Sequence, residues 1–264
     1  MVAIVIPLYR NEPTPNDVIS IQQCFKMLGD FPIIALKPTS LSLEHYPFDF
    51  SSVKSMDDRY FKSISSYNEL MMSSCFYEAF LRYPYILIHQ TDAFVFNNEL
   101  AKWCEMDFDY IGAPWLRPKF YPDVIKRIKE TMLGHGRRIL NTKERATGLP
   151  SVKQLENRVG NGGFSLRKTQ LFYDLCKKYS DKAKRYLERK GHMFNEDVFW
   201  SIEMNRFQKN LNIPSYKVAV FFAIENSPDF ALELTGGKLP FGCHAWDKNL
   251  AFFKPYLQER GYEI

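Results

Sequence analysis

The stretch VAIVIPLYRNEPTPNDVISIQQCFKMLGDFPIIAL, residues 2–36, predicts the fold class. Its first eight residues are a nearly continuous apolar run, which is typical of a strand buried on both faces of a parallel sheet. Pro15 is a favourable first residue for a helix that ends at Gly29. The apolar face of that helix would consist of Val18, Ile21, Phe25 and Leu28. Because FPIIAL, residues 31–36, has the pattern of a second buried strand, the stretch predicts a βαβ unit.

The rest of the chain continues this alternation. Ser66 and Glu69 predict a capping box for a helix that runs through Phe80. The later segments read in order as a strand (YILIHQTDAFVF, 85–96), a glycine-rich strand entry (GNGGFSLR, 160–167), two helices (168–179 and on to about 190), a helix (195–207) and a last strand (YKVAVFFAIE, 216–225). We therefore expect one α/β domain with a mixed, mostly parallel sheet flanked by helices.

Size and composition exclude several classes of protein. The 264 residues, 45% hydrophobic and 16% aromatic, can bury a large core, so disorder is not expected. The apolar runs are shorter than the roughly 20 residues of a spanning helix, and a basic signal-peptide start is missing. Five cysteines without a CxxC pair argue against a disulfide framework or a structural zinc site. A cytoplasmic protein with reduced thiols is the resulting prediction.

The formal net charge of +5 is unevenly distributed. Residues 117–145 hold nine Lys and Arg against three acids, and residues 177–190 hold seven against two. Such local basicity suits a phosphate-bearing ligand or an anionic membrane surface, while nucleic acid would fit the charge alone. Ordinary solvated faces are the alternative. Within this region we expect a basic excursion, residues 117–149, that is a long loop or contains a short helix.

Three polar groups stand at places where chemistry is common, and each also has an ordinary explanation. Asp92 follows an apolar strand, where ligands bind in open α/β sheets, but Asp also commonly ends strands. Glu196 and Asp197 begin a helix whose dipole favours carboxylates, with Asn195 as its N-cap. His244 in FGCHAW could be a satisfied core histidine. HExxH, GxSxG and GxxxxGK[ST] do not occur, so zincin, serine-hydrolase and P-loop functions lack their usual support.

The order of these pieces, QTD, GNGGFSLR, NEDVFW and FGCHAW, resembles that of glycosyltransferases with the GT-A fold. The resemblance covers most of the chain and is strongest to a bacterial family of polysaccharide and lipopolysaccharide glycosyltransferases. It implies a single glycosyltransferase domain over residues 1–264. The nucleotide-binding part would be about 1–115, the acceptor and catalytic part about 150–264, and the basic excursion 117–149 would lie between them.

The resemblance also implies roles for individual residues. Asp92 and His244 would bind a divalent metal, Mn²⁺ or Mg²⁺, while Gln90 stands where the family's Asp-x-Asp motif has its first acid, so that the site has one carboxylate fewer. Asp197 would be the general base, with Glu196 in reserve or bound to an acceptor hydroxyl.

The donor sugar would lie on Asn161, Gly162 and Gly163, the two glycines leaving room for a hexose. The expected nucleotide contacts are Pro7, Leu8, Tyr9, Arg10, Lys37 and Tyr67. Trp115 and Trp246 would form an acceptor platform, or belong to the core.

The implied activity is transfer of a sugar, with inversion, from a nucleotide-sugar donor, UDP-linked by expectation, to a glycan or lipid-linked glycan. The enzyme could then lie at the inner face of the membrane, and no nucleic-acid partner is expected. Two rivals stay open. A nucleotidyltransferase of sugar phosphates would release pyrophosphate, although the usual glycine-rich phosphate loop after IVIPLY is missing. A non-catalytic sugar-binding module would need no acidic pair.

Overall fold

The computed structural model describes residues 2–118 and 123–264, apart from the side chain of Arg127. Residues 119–122 of the basic excursion therefore lie outside the described residues. The central sheet has six strands in the order β3-β2-β1-β4-β7-β6, and a small sheet has the order β5-β9-β8. The strands are β1 (Val2–Pro7), β2 (Ile33–Pro38), β3 (Ser52–Met56), β4 (Tyr85–His89), β5 (Phe94–Val95), β6 (Tyr110–Gly112), β7 (Phe164–Lys168), β8 (Ala223–Ile224) and β9 (Gly242–Cys243).

Helices cover both faces of the central sheet, and two buried apolar clusters fill the space between the layers. Short 3-10 turns and a π-helix (Phe199–Glu203) complete the chain. The α-helices are α1 (Pro15–Leu28), α2 (Ile64–Met71), α3 (Ser74–Glu78), α4 (Leu100–Glu105), α5 (Val124–Ile139), α6 (Thr169–Lys178), α7 (Ser180–Leu187), α8 (Glu196–Val198), α9 (Tyr216–Phe222), α10 (Pro228–Thr235) and α11 (Leu250–Glu259).

The mixed, mostly parallel sheet predicted from the sequence is confirmed. β1 pairs in parallel with β2 and β4, and β2 pairs in parallel with β3. β7 is the antiparallel strand, inserted between β4 and β6. Its register places Phe164 opposite His89, so the glycine-rich segment before β7 lies beside the polar residues that follow β4.

The βαβ prediction for the first residues is also confirmed. The helix α1 begins at Pro15 and is capped by Thr14, whose hydroxyl accepts from the Asp17 N–H while the Asp17 carboxylate accepts from the Thr14 N–H. This reciprocal pair satisfies two N–H groups that the first turn leaves without helical partners. The strand that follows starts at Ile33, two residues later than predicted.

Three predictions for local structure were wrong or incomplete. The capping box lies at Ser63 and Ser66, and the helix through Phe80 is two short helices that break near Ser73. YKVAVFFAIE is a helix, α9, followed by the two-residue β8, because a short buried apolar run fits either structure. The basic excursion contains α5, a helix of 16 residues whose periodicity was underestimated.

None of the helices within the described ranges has the length and apolar character needed to cross a membrane. The five cysteines are free, and three of them, Cys24, Cys176 and Cys243, are buried.

Candidate active site

The candidate site begins at the carboxyl end of β4, where the chain leaves the sheet as Gln90-Thr91-Asp92. The Gln90 N–H donates to the Gly163 carbonyl at 2.8 Å, which fastens this exit to the glycine-rich loop. The Asp92 side chain remains about one third exposed. Asp92 therefore stands at a sheet edge with its carboxylate open to solvent, the usual ligand-binding position in such folds.

The small sheet brings two further side chains to Asp92. β8 and β9 run in parallel with Ile224 opposite Cys243, so the next residues, Glu225 and His244, leave the two strands side by side. β9 also pairs with β5, which follows Asp92 directly. Residues separated by about 150 positions in the chain thus meet because β5 starts where β8 and β9 end.

His244 is the centre of this cluster. Its Nε2 lies 3.1 Å from Asp92 Oδ1 and 3.1 Å from Gln90 Oε1, and its Nδ1 lies 3.2 Å from Glu225 Oε1. Burial disfavours the imidazolium, but the hydrogen bonds to Asp92 and Glu225 outweigh burial and raise the pKa of His244 to about 10. Burial likewise opposes ionisation of Asp92, yet His244 holds the pKa of that carboxyl below its usual value. The ring is held on both sides by carboxylates.

The side chains around His244 Nε2 are of the types that bind a divalent cation. Among residues 2–118 and 123–264, no group of three or more His, Cys, Asp and Glu side chains is arranged to hold a metal. Asp92 and His244 supply two donors, however, and the Gln90 amide oxygen is a third. Two neighbouring donors of an octahedral ion with bonds of about 2.1 Å lie about 3 Å apart. The 3.1 Å contacts of Nε2 with Asp92 and Gln90 are hydrogen-bond distances, so a bound ion would take the place of the Nε2 proton.

The glycine-rich loop is required by the protein's own side chains. A Cβ at Gly163 would lie 2.1 Å from His244 Nε2, and a Cβ at Gly162 would lie 1.8 Å from Glu196 Oε1. A Cβ at Gly160 would lie 1.9 Å from the Trp115 ring. The sequence interpretation assigned this room to a hexose; in the structure the room next to the backbone is taken by an imidazole, a carboxylate and an indole.

Asn161 holds the loop in shape. It adopts a left-handed conformation with φ of +63°, which Asn tolerates better than most residues. Its side-chain oxygen accepts from the N–H groups of Gly163 and Phe164, at 3.2 and 3.3 Å, and its Nδ2 lies 3.0 Å from His244 Nδ1. The Asn161 amide, expected to bind sugar hydroxyls, is thus already engaged within the protein.

Glu196 forms a fully buried ion pair with Arg167 of β7, with 2.9 Å between Oε1 and Nη2. The Arg167 guanidinium also donates to Ser165 Oγ and to the Tyr77 hydroxyl. The second Glu196 oxygen, Oε2, is buried and lacks a hydrogen-bond partner in the described part of the chain. A donor from a ligand or a water molecule would satisfy it, because a buried acceptor without a partner is costly.

Asp197 is the neighbouring acid. Its Oδ1 accepts from the Val198 N–H at 2.7 Å. Burial and the nearby Glu196 carboxylate raise the pKa of Asp197 to about 7. The expected lowering by the helix N-terminus is therefore outweighed, and the carboxyl can exchange a proton near neutral pH.

The start of this helix also differs from the prediction. Asn195 occupies the N-cap position without a side-chain cap bond. Its Oδ1 accepts from Asn68 Nδ2, and the Asn68 Oδ1 in turn accepts from the Glu196 N–H at 3.2 Å. Asn68 of α2 thus caps the helix from outside and fixes Glu196 relative to the first half of the chain.

The residues expected along the nucleotide edge divide by exposure. Pro7 and Leu8 are buried, and the Leu8 side chain lies in the apolar core, so only backbone could contact a ligand there. Tyr9 is 53% exposed, and partial burial of its hydroxyl, more than the nearby charges, raises its pKa. Arg10, also exposed, pairs with Asp17 at 2.9 Å.

Two other expected nucleotide contacts have partners or surroundings that the sequence did not indicate. The Lys37 ammonium donates to the carbonyls of Pro38, Thr39 and Leu41, so it closes a turn. The Tyr67 hydroxyl is buried beside Gln90 without a hydrogen-bond partner among the described residues, and burial raises its pKa. Tyr67 therefore lies close to the candidate site and Lys37 serves the fold.

The two tryptophans have different surroundings. Trp246 is completely buried, and its indole N–H donates to Ser20 Oγ at 2.8 Å. The prediction that Trp246 belongs to an acceptor platform was wrong. Trp246 lies in the core, which was the alternative interpretation. Trp115 is partly exposed and packs on Gly160 beside Val198 and Ile202.

Sequence reasoning missed Arg167 and Glu225. Arg167 is the only charged residue among the first four of β7, inside an otherwise buried strand, which signals a buried acidic partner. Glu225 ends the apolar run VAVFFAI in the way that Asp92 follows β4. The rule that selected Asp92, a polar residue at the end of a strand, would also have selected Glu225.

Three solved structures with a similar fold are glycosyltransferases. Mouse xyloside xylosyltransferase 1 in its apo form has a TM-score of 0.50 and 11% identity, covering 92% of this chain and 96% of that one. Core-mannan synthase A from Aspergillus fumigatus, in an Mn/GDP form, has a TM-score of 0.50 and 12% identity. That match covers 82% of this chain and 72% of the synthase chain. Galactosyltransferase LgtC, in complex with donor and acceptor sugar analogues, has a TM-score of 0.51 and 12% identity. That match covers 92% of this chain and 86% of the LgtC chain. At this identity the likeness shows the fold, which is of the GT-A type.

No curated protein sequence matches the chain. A family model matches residues 50–244, a range that contains the β4 exit, the glycine-rich loop, both acids at 196–197 and Glu225, and that ends at His244. Because this match spans more than half of the sequence, the chain belongs to the family described as Protein of unknown function (DUF5672).

Proposed function

We propose that this protein is a glycosyltransferase that moves a sugar from a nucleotide-sugar donor, UDP-linked by preference, to a glycan or lipid-linked glycan. The observation that carries the proposal is that two chemically different side chains, an imidazole and a carboxylate, pack against two adjacent glycines. His244, with Asp92 and Gln90, contacts Gly163, and Glu196, followed by Asp197, contacts Gly162. A leaving-group side and an acid–base side are thereby one residue apart.

On the leaving-group side, Asp92, His244 and the Gln90 amide oxygen would hold a Mn²⁺ or Mg²⁺ ion. Such an ion, when bound, neutralises the charge of a departing nucleoside diphosphate. The residues themselves orient the diphosphate, since Asp92 lies at the open edge and Glu225 and Asn161 fix the ring of His244. Tyr9, exposed shortly after β1, would contact the nucleotide, as would the backbone of Pro7 and Leu8 and the side chains of Arg10 and Tyr67.

On the acid–base side, Asp197 would accept the proton of the acceptor hydroxyl as that oxygen attacks the anomeric carbon. A pKa of about 7 suits a general base at neutral pH. Glu196 is held by Arg167 and would accept a hydrogen bond from the acceptor at its unsatisfied Oε2. Trp115 would provide an aromatic surface for the acceptor. Direct attack with Asp197 as base gives inversion at the anomeric carbon.

The biological setting belongs to the same proposal. The resemblance in motif order supports a role in synthesis of a cell-surface polysaccharide or lipopolysaccharide. We assign the single catalytic domain to residues 1–264, with the donor side mainly in about 1–115 and the acceptor side in about 150–264. A lipid-linked acceptor would be reached at the cytoplasmic face of the membrane.

The direct test is donor turnover. Purified protein is incubated with a panel of nucleotide sugars and Mn²⁺ or Mg²⁺, and release of nucleoside diphosphate is followed. Asp92→Asn and Asp197→Asn should each lower the rate at least about a hundredfold. Asp174→Asn, a substitution of an exposed carboxylate on α6, is the matched control and should leave the rate unchanged. Full activity of both site variants contradicts the mechanism.

The same assay separates the rival functions. Release of pyrophosphate from a nucleoside triphosphate and a sugar phosphate identifies a nucleotidyltransferase. Calorimetric binding of a glycan that is indifferent to nucleotide and metal identifies a binding module. The anomeric configuration of the product, read by NMR, tests inversion separately from donor use.

A further inference from the structure

The helix α5 is exposed on its apolar side. In a globular protein, the apolar stripe of a surface helix normally faces the core. Here Ile125 is 79% exposed, Met132 70% and Leu140, just after the helix, 76%. Val124, Ile128 and Leu133 belong to the same stripe and are also exposed.

The polar side of α5 is the side attached to the protein. Its less exposed positions are Glu130, Gly134, Gly136, Arg137 and Arg138. The carbonyl of Arg138 accepts a hydrogen bond from Arg206, and Arg206 also donates to Gln154 at 2.9 Å. The turn that contains Gln154 packs against α5. The helix is therefore anchored through polar contacts, and its apolar stripe is directed outwards.

A shallow, open groove of about 540 Å³ on this outward face is lined by Ile125, Ile128, Met132, Leu133 and Leu140, with Lys129 and Arg137 beside them. An exposed apolar patch with a polar rim marks a site of interaction with a protein or a membrane.

The charge around the groove favours an anionic partner. Lys126 and Lys129 are exposed on α5. The second basic segment, which includes α7, is connected to the same region: Lys182 of α7 and Arg206 both bind the Glu203 carboxylate, at 3.0 and 2.8 Å. Basic residues beside a helix with one apolar face are typical of helices that lie in the interface of an anionic bilayer.

We propose that α5 is a docking helix that inserts its outward apolar face into the interface of a membrane containing anionic lipid. A second copy of this chain is the less suitable occupant, because each copy would bring the exposed Lys126 and Lys129 to the same contact, where like charges repel. This inference does not depend on the sugar-transfer reaction, since α5 contributes no residue to the candidate active site.

The experiment is flotation of the full-length protein with vesicles of phosphatidylcholine alone or mixed with phosphatidylglycerol, at low and at physiological salt. We expect binding to the anionic vesicles that weakens with salt. Ile125→Glu/Met132→Glu should reduce the bound fraction at least about tenfold, because two inserted apolar side chains are lost. Lys126→Glu/Lys129→Glu should reduce it as well.

Matched controls are available elsewhere on the surface. Ile64→Glu replaces an apolar side chain that is 74% exposed on α2, and Lys26→Glu reverses an exposed charge on α1. Both controls should bind like the wild type, and thermal melts of all variants report folding. Absence of binding to anionic vesicles at low salt overturns the proposal. So does binding that survives the double glutamate variant, or a dimer in solution that this variant dissociates.

Discussion

At the scale of single residues, the candidate site depends on a carboxyl group that holds its proton unusually strongly. In the folded chain the pKa of Asp197 is about 7, raised by burial and by the charge of Glu196. An unfolded chain would titrate this group near pH 4. Between about pH 4 and 7 the folded state therefore retains a proton that the unfolded state has released.

The first prediction follows from that difference in proton binding. The Asp197 contribution to stability is present at low pH and is lost as pH rises towards 7, because the unfolded state binds fewer protons in that window. Asp197→Asn, which can still accept the Val198 N–H, removes the loss. At pH 8 we expect its free energy of unfolding to exceed that of the wild type by roughly 2–4 kcal/mol. The difference should nearly vanish at pH 4, as urea titrations at both values would show.

The same titration predicts the pH dependence of activity. A general base must be deprotonated, so kcat/KM of the wild type should rise with pH and level off above about 7. Asp197→Asn should lose both the activity and the rise. A stabilised variant that keeps wild-type turnover would mean that Asp197 is a buried acid without a catalytic role.

Glu225 is predicted to act through His244. Its Oε1 lies 3.2 Å from Nδ1, on the side of the ring opposite Asp92 and Gln90. Partners of this kind orient a metal-binding histidine, and their loss typically weakens metal affinity about 10–100-fold. We expect Glu225→Ala to weaken Mn²⁺ binding by that factor in calorimetry with a nucleoside diphosphate present.

Two variants sharpen the Glu225 measurement. Glu225→Gln keeps a hydrogen-bonding group next to Nδ1 and should recover most of the affinity. Glu233→Ala removes an exposed glutamate from α10 and should change nothing. Wild-type Mn²⁺ affinity in Glu225→Ala would show that the ring is held by Asn161 alone.

At the scale of elements, replacing a glycine by alanine should have opposite effects on stability in the glycine-rich loop and in α5. A Cβ at Gly163 would collide with the His244 ring, whereas a Cβ at Gly134 of α5 would meet no atom within 4 Å. We expect Gly163→Ala to displace His244 from Asp92, with at least about a tenfold loss of metal affinity and roughly 1–3 kcal/mol of stability. Gly134→Ala should instead stabilise the protein by about 0.5–1 kcal/mol. Calorimetry and thermal melts measure both; equal effects would contradict the packing argument.

Elements with a strong period or a specific cap could be predicted from the sequence. α1 has Pro15 at its start and a regular apolar face, and β1 and β4 are buried runs, so the first residue of each was predicted correctly. The strand predicted over residues 85–96 is divided, however, into β4 and the separate β5. α9 could not be distinguished from a strand, because its short apolar run carries no clear period. Its assignment to a helix depends on tertiary packing, which a single sequence does not display.

The candidate site was predictable to a similar extent. The sequence singled out Asp92, Glu196, Asp197 and His244 as candidates, and each lies next to the start or the end of an element in the structure. It did not identify the reason for the glycines, because the groups that fill Gly162 and Gly163 come from 34 and 81 residues further along the chain. Arg167 was missed for the same reason, as its acidic partner is remote in sequence.

At the scale of the whole molecule, both halves of the chain are needed for one sheet. β7, from the part after the basic excursion, lies between β4 and β6, which come from the part before it. Asp92 and Gln90 are likewise on one side of the excursion, while His244, Glu225 and Asp197 are on the other. The parts of the chain before and after the excursion are therefore joined in one sheet and in one candidate site.

A cut within the excursion should consequently leave the fold assembled. Lys143 and Arg145 are exposed outside helical structure, so limited trypsin treatment should cleave there first. We expect two fragments on a denaturing gel that elute together at the size of the intact protein on a native column, because β7 remains paired on both edges. The nicked protein should still bind the donor. Unfolding in urea before the column is the control that should separate the fragments. Separation without urea would mean that the two parts fold independently, and the single-domain assignment would then be wrong.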